Sequence, residues 1–140
     1  MATDTETDLF EVDQTEILAL LSDPDPSRRQ LALTQLEDIA PGPEWIEPLL
    51  RALGDSDAHV RRMAIAVLED VGDARAVPGI IERLSDDDAW VREAAASALR
   101  EFRGADAAAS MLSALAHPEA RVRASVLVGL RELKDPRALQ

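Results

Sequence analysis

The sequence predicts an all-α fold in which antiparallel helical hairpins stack into a solenoid. One observation is a repeat: arginines recur at separations of 32, 31 and 31 residues. A second is that apolar residues return in the same register with the period of an α-helix, and a third is that glycine or proline corners separate the apolar segments. Self-similarity at about 30 residues is typical of arrays of helical hairpins. The recurring arginines are Arg29, Arg61, Arg92 and Arg123.

Each repeat combines a long first helix with a shorter second helix. We predict helices over 13–21, Ser27–Ala40, Glu44–Leu53, Ala58–Val71, Arg75–Leu84, Ala89–Arg103, Ala105–Ala116 and Glu119–Leu133. The repeat domain is expected to span 13–140, with a half repeat at 13–21, repeats at 22–53, 54–84 and 85–115, and an incomplete repeat at 116–140. Residues 1–12 are polar, acidic and aperiodic, so they are expected to form a flexible tail.

The core is predicted from the register. First-helix core positions are Ala32, Ala64, Ala95 and Val126, then Leu36, Leu68, Leu99 and Leu130, then Ile39, Val71, Phe102 and Leu133. Second-helix core positions are Ile17, Leu18 and Leu21, then Leu49, Leu50 and Leu53, then Ile80, Ile81 and Leu84, then Met111, Leu112 and Leu115. A single hairpin cannot bury such a stripe, but stacked neighbours bury it.

The second repeat carries a family resemblance. Along its first helix an acidic residue is followed by Val-Arg, then by a small residue and then by a leucine. After the helix, Gly-Asp precedes Ala-Val-Pro. The motif residues are Asp57, Val60, Arg61, Ala64, Leu68, Gly72, Asp73, Ala76, Val77 and Pro78. This pattern resembles the HEAT-like repeat of the phycobilisome-lyase type. The third repeat departs from it, with Arg103-Gly104 at the corner and Ala109 in place of the proline. The resemblance implies an α-solenoid whose second helices line a concave face, and it does not imply an activity.

Charge and composition narrow the function classes. A net charge of -12 disfavours a nucleic-acid partner, because the surface repels phosphates. Lys134 is the only lysine against 14 arginines, and this composition resembles that of salt-in halophiles such as halophilic archaea, although a GC-rich genome alone also favours Arg and Ala. No long apolar run, signal-peptide pattern or cysteine occurs, so we expect a cytoplasmic protein without a membrane partner.

Residue patterns for catalysis are missing from the sequence. His59 and His117 are isolated, and neither is followed by the glutamate that metal-binding His-Glu members of the superfamily carry. The acidic run Asp86–Asp88 lacks the spaced ligands of a calcium loop, and no glycine-rich phosphate loop occurs. We therefore expect no catalytic, cofactor-binding or metal-binding residues and no enzymatic activity.

An acidic residue stands four positions before each recurring arginine. An acid at a helix start accepts free backbone N–H groups and opposes the positive end of the helix dipole. The arginine one turn later is expected to pair with this acid or with the equivalent acid of a neighbouring repeat, which forms a ladder that joins the repeats. The ladder residues are Asp25 and Arg29, Asp57 and Arg61, Asp88 and Arg92, and Glu119 and Arg123.

Two surfaces are predicted to bind a partner protein. One is the second-helix strip opposite the core: Glu44, Pro48, Arg51, Arg75, Gly79, Glu82, Asp106, Ser110 and Ser113, with Trp45 and Trp90 as aromatic candidates. The other is the helix over 119–133, where Leu127 and Val128 are expected to meet a second copy or a client, unless 134–140 fold back over them. We expect a non-catalytic scaffold or adaptor; the alternative is a subunit or chaperone of a bilin lyase-like enzyme.

Overall fold

The computed structural model describes residues 14–133, and within this range every regular element is helical. The described part of α1 covers 14–21. The other helices are α2 (Pro26–Ile39), α3 (Ile46–Ala52), α4 (Ala58–Val71), α5 (Val77–Glu82), α6 (Ala89–Leu99), α7 (Ala105–Ala114) and α8 (Ala120–Leu133). Single 3-10 turns occupy Pro43–Trp45, Ala74–Ala76 and Arg83–Ser85. The predicted tail at 1–12 and the predicted fold-back of 134–140 lie outside the described residues.

The helices form two layers. The long helices α2, α4, α6 and α8 pack side by side in chain order, and the short helices α3, α5 and α7 cover them. Each short helix contacts the long helix that follows it: α3 packs on α4, α5 on α6 and α7 on α8. The array is therefore an all-α solenoid, as predicted. The predicted repeat boundaries stay a prediction, because packing across the repeats does not mark where one repeat begins.

The predicted register describes most of the core. Ala64, Leu68, Ala95 and Leu99 are fully buried, as are their counterparts in α2. Ile39 is an exception at 37% exposed, because α2 ends there and the chain turns away through a left-handed residue. Leu18 and Leu112 are also exposed, whereas the equivalent Leu50 and Ile81 pack against the core from the inner short helices.

Helix boundaries differ from prediction where prolines intervene. The helix Ala58–Val71 is confirmed, and it begins at the Asp57 cap and ends at left-handed Gly72. Before α3 and α5 the chain makes a 3-10 turn, because Pro48 and Pro78 lack the N–H that would bond four residues back. The start of α7 contains no proline, and it begins directly as an α-helix.

Helix α6 ends at Leu99, four residues before the predicted end. Its last turn tightens, with the N–H of Arg100 bonded to the carbonyl of Ser97 and that of Glu101 to Ala98. The chain then leaves the helix axis and inserts Phe102 into the core, where it is 2% exposed. Gly104 closes the corner at φ 95°, a left-handed conformation that favours glycine.

Candidate functional site

Arginines bridge the turns of successive long helices. Arg29 on α2 donates from Nε and Nη2 to the two carboxylate oxygens of Asp55, at 2.8 and 3.0 Å. Arg61 on α4 holds Asp86 in the same way, at 2.9 and 2.8 Å. Such two-pronged pairs are stronger and more directional than single contacts. We call each such pair a rung: it consists of an arginine on one long helix and the aspartate in the turn that precedes the next long helix.

The carboxylates of the rungs are not those expected from the sequence. Asp25, Asp57 and Asp88 were expected to pair with arginine; instead they cap their own helices, as Asp57 does by accepting the N–H of Val60 at 2.9 Å. Because each cap carboxylate already binds a backbone N–H, the arginine reaches past it to the turn of the following hairpin. This corrects the predicted pairing, and the observed pairs of Arg29 and Arg61 each join one hairpin to the turn of the next.

A further bond orients every arginine of the ladder. Each donates from Nη1 to the carbonyl six residues earlier, in its own turn: Arg29 to Asp23 at 2.8 Å, Arg61 to Asp55 at 2.8 Å, Arg92 to Asp86 at 2.7 Å and Arg123 to His117 at 2.7 Å. Asp55 and Asp86 therefore each have two functions: the backbone carbonyl accepts from one arginine, and the carboxylate accepts from the arginine of the preceding repeat. The spacing of Asp23, Asp55, Asp86 and His117 repeats that of the arginines and would have found these positions.

The rung of Arg61 and Asp86 shifts the pKa values of both residues. Burial raises the pKa of Asp86, but the bonds from Arg61 and from the N–H of Asp88 outweigh it, so this pKa lies below its usual value. The hydrogen bond to Asp86 raises the pKa of Arg61. Asp86 is 7% exposed and Arg61 8%, so the pair is shielded from salt more than a surface pair would be.

The third rung is incomplete. Its turn carries His117, and the ring Nδ1 accepts the N–H of Glu119 at 3.0 Å, as the aspartates accept the equivalent N–H in the other turns. Among residues 14–133, no carboxylate lies within 4.0 Å of the Arg92 guanidinium. The predicted Asp88 to Arg92 and Glu119 to Arg123 pairs are therefore not formed.

The short-helix strip is only partly open. Glu44, Arg51, Arg75, Glu82, Asp106 and Ser113 are exposed, whereas Pro48, Gly79 and Ser110 are half-buried. A Cβ atom added at Gly79 would lie 2.9 Å from Leu53 Cδ1, so α5 approaches α3 closely at this residue. Pro48 borders a cavity of about 390 Å³ together with Leu18, Leu21 and Arg51. The half-buried positions thus serve packing between short helices, and the charged positions beside them face solvent.

The two tryptophans have opposite environments. Trp45 is 4% exposed and belongs to the core, so its prediction as a partner-binding residue is wrong. Its place in the 3-10 turn before α3 directs the ring inward, which the strip pattern did not anticipate. Trp90 is 68% exposed and borders a depression of about 270 Å³ with Ala58, His59, Arg62 and Asp88.

Helix α8 buries one face and exposes another. Val122, Val126 and Leu133 are buried, and α8 packs against α7 and α6. Leu127 and Val128 remain 49% and 39% exposed. Leu33 and Ile65 occupy the register of Leu127 and are buried, because a further long helix packs beside α2 and α4.

Residues 14–133 contain neither a metal-binding cluster nor a helix that could span a membrane. Between residues 14 and 133, no three His, Asp or Glu side chains come together in a way that could hold a metal ion. In the same stretch, no helix has the length and apolarity needed to cross a bilayer. His59 lies 2.7 Å from Arg62 through Nδ1, an exposed contact within α4.

The chain matches a known repeat family over most of its length. A family model described as HEAT repeats matches residues 15–100 and 77–140, which together cover most of the chain. The chain belongs to the HEAT repeat family. No curated protein matches it. HEAT repeats commonly mediate protein–protein interaction, and proteins built from them are generally non-catalytic scaffolds.

Proposed function

We propose that this HEAT repeat protein is a non-catalytic scaffold that holds another protein. The observation that carries the proposal is the exposure of Trp90, which leaves 68% of a large aromatic residue in water at the start of α6. Exposed tryptophans that dock into a partner are among the strongest contributors to protein interfaces. The rungs of Arg29 and Arg61 support this role, because they fix the spacing of neighbouring hairpins.

The surroundings of Trp90 suit a protein surface. The depression beside it combines the apolar Ala58 with His59, Arg62 and Asp88, so it offers both apolar contact and hydrogen bonds of either polarity. The exposed charges of the short-helix strip form a second surface of mixed sign. We place the primary contact at Trp90, because the strip lacks a large exposed aromatic residue within the described range.

The test is capture of a partner from the source cells with a tagged protein. We expect a defined protein to bind the wild type at native salt and to be lost with Trp90→Ala. Leu31→Ala, which alters an apolar residue that is 47% exposed on α2, is the matched control and should retain the partner. Equal capture by wild type and Trp90→Ala, with both variants folded by circular dichroism, would contradict the proposed contact.

A second candidate is a subunit or chaperone of a bilin lyase-like enzyme. It rests on the resemblance of the second repeat to the phycobilisome-lyase type, and the cavity beside Pro48 favours it. This cavity has the volume of a small-molecule site and apolar walls at Leu18 and Leu21. Its lining also includes the anion Asp55 and one cation, Arg51, which suits a propionate group. Titration of the protein with a bilin tests it, and an unchanged absorption spectrum of the bilin would remove this candidate.

A further inference from the structure

Among residues 14–133, no carboxylate accepts the Nε and Nη2 donors of Arg92 in the incomplete third rung. An aspartate at position 117 would offer two carboxylate oxygens, as Asp55 and Asp86 do. His117 offers one acceptor, Nδ1, and the N–H of Glu119 already uses it. In the neutral imidazole the other ring nitrogen, Nε2, is then a donor. The substitution therefore removes an acceptor from the rung and adds a donor.

Arg92 is oriented as in the complete rungs. Its Nη1 donates to the carbonyl of Asp86 at 2.7 Å, as the Nη1 of Arg61 donates to Asp55. This bond holds the Arg92 guanidinium at its own turn, as the equivalent bonds hold those of Arg29 and Arg61. In the first two rungs the Nε and Nη2 edge of the arginine binds a carboxylate in the turn of the next hairpin. Arg92 as a residue is half-buried.

The charge around this rung differs from that of the rest of the protein. Residues 14–90 carry seven arginines against sixteen acidic residues, whereas residues 91–133 carry six arginines against five. The acidic excess therefore lies in the first part of the array. The side of the rung formed by the turn of His117 carries Arg121 and Arg123, whereas the side formed by the start of α6 carries the acidic run Asp86–Asp88, so an anion is expected to approach Arg92 from the side of α8.

We propose that the third rung binds an aspartate side chain from an acidic segment of a partner protein. The carboxylate would bridge Nε and Nη2 of Arg92, in place of the aspartate that the chain lacks at position 117. The natural ligands of the other rungs belong to Asp-x-Asp turns, at 55–57 and 86–88, so a partner segment of this type fits the same geometry. This inference rests on the proposed scaffold function and assigns the chemistry of one contact.

The probe is a blocked peptide with the sequence Leu-Gly-Asp-Ser-Asp-Ala, which copies residues 53–58 of the chain. Its affinity is measured by fluorescence anisotropy, at the lowest salt that keeps the wild type folded. A peptide with asparagine in place of both aspartates is the control ligand. We expect the aspartate peptide to bind and the asparagine peptide to bind at least about tenfold more weakly.

Two variants remove the site by different means. Arg92→Ala deletes the hydrogen-bond donors. His117→Asp supplies the missing carboxylate from the chain itself and should raise the melting temperature. A loss of peptide binding in His117→Asp therefore cannot be ascribed to unfolding. Each should weaken binding at least about tenfold. Arg131→Ala and Thr34→Asp make the same charge changes at exposed residues outside the rung and should leave the affinity unchanged.

Three results overturn the proposal: no binding to the wild type, equal affinity for the asparagine peptide, or unchanged binding in Arg92→Ala. Each leaves the scaffold function intact if capture of a partner still depends on Trp90. If no partner is captured while the peptide binds with the expected variant pattern, the rung stands as a carboxylate site and the scaffold function fails.

Discussion

At the scale of single residues, the arginine ladder separates two arginines that are adjacent in the chain. Arg61 is 8% exposed and binds Asp86 with two bonds, whereas Arg62 contacts His59 at the surface. Arg61→Ala removes the two-pronged partner of the buried Asp86 carboxylate and leaves it the bonds from Arg83 at 3.2 Å and from the N–H of Asp88 at 3.0 Å. We therefore expect it to lower the free energy of unfolding by about 2 to 3 kcal/mol. Arg62→Ala should cost less than about 0.5 kcal/mol. Equal shifts in chemical denaturation would contradict a joining role for the rung.

A second residue-scale prediction concerns the end of α2. Ala40 has φ 50°, the left-handed conformation that Gly72 adopts at the equivalent end of α4. A side chain with a Cβ is strained there, so Ala40→Gly should stabilise the protein by about 0.5 kcal/mol after the larger chain entropy of glycine is offset. The reciprocal Gly72→Ala should destabilise it by about 1 kcal/mol. Melting curves of the pair decide the matter, and shifts of the same sign would contradict it.

At the scale of elements, α8 presents the face on which the earlier long helices receive a neighbour. Leu127 lies on that face and is 49% exposed, and Leu112 on the adjacent α7 is 58% exposed. Val128 lies at the edge of the same face, in the register of the exposed residues Thr34 and Ser97, and is 39% exposed. We propose that a second copy or a client covers this face. Light scattering at high salt should show association of the wild type and a monomer for the double variant Leu127→Glu, Val128→Glu.

The control for this prediction adds the same charge on another face of the helix. Ala120→Glu with Ala124→Glu alters two exposed residues of α8, and this variant should associate as the wild type does. A monomeric wild type that binds its client equally well with and without the glutamates at 127 and 128 would show that this face is not an interface.

At the scale of the whole molecule, the acidic excess predicts that folding depends on salt. A net charge of -12 on 140 residues favours expansion in dilute buffer, and molar salt screens the repulsion. We propose on this ground that the protein works at high salt. The melting temperature by circular dichroism should rise from low to molar KCl, and an unchanged value would remove the halophilic interpretation.

The sequence alone determined the architecture, because the repeat spacing and the apolar register report local helix periodicity and the need to bury one stripe. The helix Ala58–Val71, the buried register of Ala64 and Leu68, and the caps at Asp57 and Asp88 followed from neighbours within one turn. These features depend on contacts a few residues apart, which a pattern can represent.

Only the tertiary structure decided which distant residues meet. Arg61 pairs with Asp86 instead of Asp57, because the turn of the next hairpin lies within reach of its guanidinium once the helices are stacked. Trp45 is buried while Trp90 is exposed, since the first lies in the turn before α3 and the second at the outer start of α6. The incomplete rung at Arg92 depends on the same stacking. The packing of one hairpin on the next places His117 at the position where the other turns carry an aspartate.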